Sequence, residues 1–129
     1  MTSFVNYSFV GCNFESVYYD GAFEDWCKIG FSYLGQSPMP YTERFYYKKE
    51  NGYEELIDAV IRESITQINA ELSGYKAVRS VTLHEGVTAI AKNAFQNCVN
   101  LSSIKLPSQL KIIGELAFYG CESLYSINI

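Results

Sequence analysis

The strongest constraint on this chain is a 23-residue unit written twice at its carboxyl end. His84–Leu106 reads HEGVTAIAKNAFQNCVNLSSIKL, and Pro107–Ile129 reads PSQLKIIGELAFYGCESLYSINI. Laid over one another without a gap, they share Ile90/Ile113, Ala94/Ala117, Phe95/Phe118, Cys98/Cys121, Leu101/Leu124, Ser103/Ser126 and Ile104/Ile127. All but the serine pair are apolar. Apolar positions that recur while the polar ones drift are the mark of stacked repeats. A unit this small cannot bury its own hydrophobic face, so it must pack on a neighbour in a solenoid.

The same register runs backwards. Ile61, Ile65 and Ile68 fall under Leu83, Val87 and Ile90; after a one-residue deletion, Leu72, Tyr75, Val78 and Val81 fall under Phe95, Cys98, Leu101 and Ile104. Over residues 54–72 a competing pattern exists, because Leu56, Val60, Ile61, Ile65, Ile68 and Leu72 also sit at helical spacing with Gly74 beyond them. The β-branched residues favour the rung. At the amino end, Thr2–Phe9 aligns with Thr88–Phe95, Gly11-Cys12 with Asn97-Cys98, and Phe14–Val17 with Leu101–Ile104. About five rungs result, with strands expected around Val17, 59–61, 81–83, 104–106 and 127–129.

Residues 20–53 break the period and read as an insertion within a single domain of 129 residues. Residues 18–53 are rich in Tyr and Phe and hold the only Trp. Phe23–Trp26 reads as a helical turn, Ser37-Pro38-Met39-Pro40 as an extended or turning segment, and Asn51-Gly52 as the tip of a hairpin flanked by Phe45-Tyr46-Tyr47 and Leu56-Ile57.

The repeat also decides what the cysteines are for. Cys12, Cys98 and Cys121 recur at one position beside Phe9, Phe95 and Phe118, which makes them a core ladder of small hydrophobes. Rungs about 4.8 Å apart admit a disulfide geometrically, but buried free thiols are the reading favoured here. A nucleophile at Cys98 or Cys121 served by His84, the single histidine, conflicts with that repetition, and His84 reads as a solvated side chain. Glu15, Asp20, Glu24 and Asp25 lack the ligand spacing of a calcium loop. With no glycine-rich phosphate loop, carboxylate pair or C-x-x-C zinc motif, no cofactor, metal or catalytic residue is expected.

A net charge of −4 argues against a nucleic-acid partner. No apolar run approaches the roughly 20 residues that span a bilayer, and the amino terminus lacks the basic and apolar regions of a signal peptide. Asn6-Tyr7-Ser8 and Asn100-Leu101-Ser102 match the glycosylation acceptor pattern.

The run Ile-Gly-x-x-Ala-Phe-x-Gly-Cys-x-x-Leu-x-Ser-Ile-x-Ile, as in Ile113–Ile129, resembles the BspA-like class of leucine-rich repeats. The resemblance covers residues 2–19 and about 59–129, departing most where Leu72 and Tyr75 replace the Phe and Cys. It implies a right-handed solenoid in which each rung lays a short strand into a parallel sheet. It also implies a non-enzymatic protein-interaction module of a bacterial surface or secreted protein, such as an adhesin. The absent signal peptide leaves a fragment of an exported protein or a cytoplasmic form as the two alternatives.

Period-two alternation in those strands exposes Asp58, Val60 and Arg62, then Ser80, Thr82 and His84, then Ser103 and Lys105, then Ser126 and Asn128, with Pro107 beside them. That is the candidate binding face. The aromatics of the insertion read most plainly as a cover packed on the solenoid edge; Tyr18, Trp26, Tyr46 and Tyr47 are candidate aromatic contacts, for a protein or, as an alternative, a glycan. Spacer rungs of a longer array are a further alternative. Apolar surface on the last rung implies a continuation, a cap or end-to-end self-association.

Overall fold

A computed structural model describes residues 9, 11–29, 37–125 and 127. The expected amino-terminal rung over Thr2–Ser8, the acceptor site at Asn6, and the face positions Ser126 and Asn128 lie outside the described residues, as does Ile129.

Among the described residues, the repeat half contains three pairs of short strands. β4 (Asp58–Ile61), β6 (Ser80–Leu83) and β8 (Ser103–Lys105) form one parallel sheet in that order. β5 (Gln67–Ile68), β7 (Ala89–Ile90) and β9 (Ile112–Ile113) form a second. The register follows the sequence period: Ala59 faces Val81, Val81 faces Ile104, and Ile68, Ile90 and Ile113 lie side by side. Residues 54–72 contain strands and turns and no helix, which settles that ambiguity in favour of the rung. The β-branched Val60, Ile61 and Ile65 suit a pleated surface better than a helix.

Between strands the backbone turns in a conformation that also repeats. The residue before each cysteine position is left-handed: Gly11 (φ 83°), Gly74 (79°), Asn97 (60°) and Gly120 (80°). Side chains with a Cβ disfavour that region, which selects glycine or asparagine there. The turn lets Gly74 N–H donate to Gln96 O and Asn97 N–H to Tyr119 O, each at 2.7 Å. The cysteines finish the ladder. Cys98 Sγ–H donates to Leu72 O at 3.0 Å and Cys121 Sγ–H to Phe95 O at 3.1 Å, while Phe95 and Phe118 stack at 5.5 Å. All four cysteines are free thiols. Burial, reinforced by Cys121, pushes the Cys98 thiol up to about 12, so it is a packing group and a weak donor. Cys12 and Phe9 are half-buried, and Phe9 meets Phe14 edge-to-face at 6.2 Å.

The amino-terminal half is a different sheet. β1 (Phe14–Tyr19) leads through α1 (Phe23–Cys27) and a 3₁₀ turn at Met39–Tyr41 to β2 (Thr42–Lys49), which hairpins into β3 (Gly52–Glu55). β1 and β2 are parallel, with Val17 opposite Phe45, and β2 and β3 antiparallel, with Lys49 opposite Gly52. The strand around Val17 therefore forms where the repeat puts it, but its partner is β2, and it does not join the β4–β6–β8 sheet. Aromatic packing accounts for this. Phe45 is fully buried against Trp26 (4.6 Å) and Tyr19 (6.4 Å), so β2 carries the core that β1 needs.

Tyr75 joins the halves. It occupies the cysteine position of its repeat, and its longer side chain reaches the other sheet, donating to Leu56 O at 2.8 Å and accepting from Phe45 N–H at 3.0 Å. The departure from the repeat is thus a joint between sheets. Trp26 makes a second tie, donating Nε1–H to Glu71 O at 3.2 Å.

Candidate interaction face

Alternation in β4, β6 and β8 sends Ala59, Ile61, Val81, Leu83 and Ile104 into the core and leaves Asp58, Val60, Arg62, Thr82, Ser103 and Lys105 exposed. Ser80 is half-buried and donates Oγ–H to Asp58 Oδ1 at 2.6 Å. Because the strands are in register, these residues form rows across the sheet: Asp58–Ser80–Ser103 and Val60–Thr82–Lys105. Val60 is 49% exposed, and Arg62 closes no salt bridge with a described residue. Pro107 is buried, a correction to its expected place on the face, because it follows the inward-facing Leu106 into the core.

His84 is placed at the edge of this face but is not a solvated side chain. It is half-buried, its Nδ1 accepts from Gly86 N–H at 2.9 Å, and its Nε2 lies 2.5 Å from Ile65 O. A nitrogen that accepts an amide proton carries none itself, so the other is the donor and the ring is the neutral Nε2–H tautomer. Both nitrogens are used to clasp consecutive turns. Neither is left to activate a thiol, and the cysteines donate to backbone carbonyls instead.

One end of the face is walled by the amino-terminal half. A depression of about 510 Å³ is lined by Glu24, Val60, Ile61, Arg62, Glu63, Ser64 and His84. A second, of about 230 Å³, lies between Phe23, Tyr47, Lys48, Asp58, Val60 and Arg62. Glu24 is fixed there by Ser64 Oγ–H at 2.6 Å and Lys28 at 3.5 Å, and these, the serine first, hold its carboxyl below the usual range. Tyr47 donates to Glu54 at 2.5 Å, and burial with that bond pushes its hydroxyl up to about 12. Acidic residues thus serve as local anchors, and Asp20 likewise accepts from Lys48 (3.0 Å) and Tyr53 (3.2 Å).

The four aromatic candidates separate. Tyr47 joins the sheet face. Tyr18 and Tyr46 stack at 4.6 Å and 9° on the outer side of β1 and β2, with Tyr53 edge-on to Tyr18 at 5.2 Å. Trp26 is 1% exposed and offers no contact surface, because its ring fills the core beside Phe45. Tyr53, Glu24, Lys48 and Ser64 were not anticipated in these places. Only Tyr53 had a signal in the sequence, through its alternation across the Asn51-Gly52 hairpin.

Paired short strands, periodic turns and an outward polar face define a leucine-rich-repeat protein. Residues 45–129, more than half of the chain, match six copies of the BspA type leucine rich repeat region, and the chain belongs to that family. Neither the curated proteins nor the solved structures gave a match. Among the described residues no helix is long and apolar enough to cross a membrane.

Proposed function

We propose that the chain is a non-catalytic protein-interaction module of a bacterial surface or secreted protein, an adhesin or host-contact protein, built as a right-handed solenoid of about five rungs with residues 20–53 inserted. The repeat family supports this reading, since its members use extended faces to bind proteins. The observation that carries it is the in-register face of β4, β6 and β8. There Val60, Thr82, Arg62 and Lys105 are exposed on strands paired in register, beside a wall formed by Glu24 and Tyr47. A protein ligand laid along the rows would bury Val60 and meet both cations, with little ordering cost on this side.

The test is binding of the purified chain to immobilised matrix proteins, mucins and host cells at micromolar concentration. The triple variant V60E/R62E/K105E is expected to lower affinity at least tenfold, with Tyr18→Ala leaving it unchanged. Retained binding in the triple variant would move the site off this face. Loss on Tyr18→Ala alone would favour the stacked Tyr18–Tyr46 surface and, with it, a glycan ligand.

A further inference from the structure

Glu71 stands where the repeat places Ala94 and Ala117, which are 0% and 2% exposed. The carboxyl inherits that burial. Glu71 is 2% exposed, and neither of its side-chain oxygens has a hydrogen-bond partner. The amides of Asn69 and of Glu71 itself lean toward the group and favour its anion somewhat, without closing a bond. Burial outweighs them and pushes the carboxyl up to about 8.

The group lies at the seam between the two halves, next to α1. Its backbone carbonyl takes the Trp26 indole, and its carboxyl lies close enough to the buried Cys27 to act on it electrostatically. The Cys27 thiol is pushed well up, first by burial, then by the charge of Glu71 and that of Glu24. Glu24 of α1 also raises the Cys27 thiol, and no described cation forms a salt bridge with Glu71. An ionised Glu71 has no described cation to compensate its burial.

We propose that Glu71 is an acid-tightened latch between α1 and the repeats: it stays protonated while α1 is seated and releases its proton to solvent when α1 lifts. In the lifted state the carboxyl returns to its ordinary value of 4.5. Between 4.5 and about 8 the seated state therefore holds the extra proton, and lifting is favoured as pH rises. The latch is at full strength below 4.5, weakens about tenfold per pH unit across the window, and is spent above it. Mild acid tightens the module, and rising pH loosens its hold on Trp26 and Cys27.

Denaturant unfolding of the full chain at pH 5.5 and 7.5, followed by the fluorescence of its single tryptophan, tests this. The wild-type unfolding constant is expected to rise about hundredfold over those two units relative to Glu71→Gln, or about 2.7 kcal/mol at 1.36 kcal/mol per unit. Glu71→Ala, the residue of the neighbouring repeats, is expected to behave like the glutamine variant. Parallel pH dependence in all three proteins would overturn the latch. So would a ¹³C titration of the folded wild-type chain that shows every glutamate carboxyl ionising near 4.5, a readout that needs no variant to fold.

Discussion

The two halves of this molecule are held together in opposite ways. In the repeats the backbone ties recur. Lys111 N–H meets Thr88 O as Thr88 N–H meets Thr66 O, Gly114 N–H meets Ile90 O as Ala91 N–H meets Ile68 O, and Ser102 N–H meets Arg79 O as Arg79 N–H meets Ile57 O, all at 2.7–3.0 Å. In the amino-terminal sheet nothing recurs. It rests on single residues, Phe45 against Trp26 and Tyr75 bridging to Leu56. A repeated tie is shared among neighbours, so damage stays local; a singular tie has no understudy.

That contrast breaks most visibly in the core ladder. Phe95→Ala removes a fully buried ring stacked on Phe118 and is expected to cost about 3–5 kcal/mol by urea unfolding. Tyr75→Phe keeps the ring but orphans Phe45 N–H and Leu56 O, both in the interior, for an expected loss of about 1–3 kcal/mol. If the joint is singular, that loss falls on β1, β2 and β3. The smallest effect has the opposite sign. Leu116 holds a left-handed φ of 60° at a 43%-exposed position where the preceding repeat has Asn93 at 63°. Leu116→Asn is therefore expected to stabilise by about 1 kcal/mol, read as a raised thermal midpoint.

The same contrast explains what could be read from the chain beforehand. Periodicity reports how a unit meets its copy, so the register of Ile68, Ile90 and Ile113, the one-residue deletion before Leu72 and the shared ladder position of Cys98 and Cys121 were all legible. The outward rows of β4, β6 and β8 followed from alternation alone. Contacts made once leave no period. Tyr75 looked like a defect in its repeat, Trp26 like a candidate contact or a cover on the solenoid edge, and His84 like a free side chain, whereas each is fixed by a long-range hydrogen bond. The pairing of β1 with β2 was hidden for the same reason, since it depends on the Phe45 core and on no repeated residue.

Native-state hydrogen exchange on the wild type and Tyr75→Phe tests the division most directly. Amides of β1 and β2, such as Val17 and Tyr46, are expected to lose protection together, by about ten- to a hundredfold. Val81, Ile90 and Phe95 in the repeats are expected to keep theirs. A uniform loss across both groups would mean that the halves open as one unit, and would contradict the account of a periodic block carrying a sheet held by a few unrepeated ties.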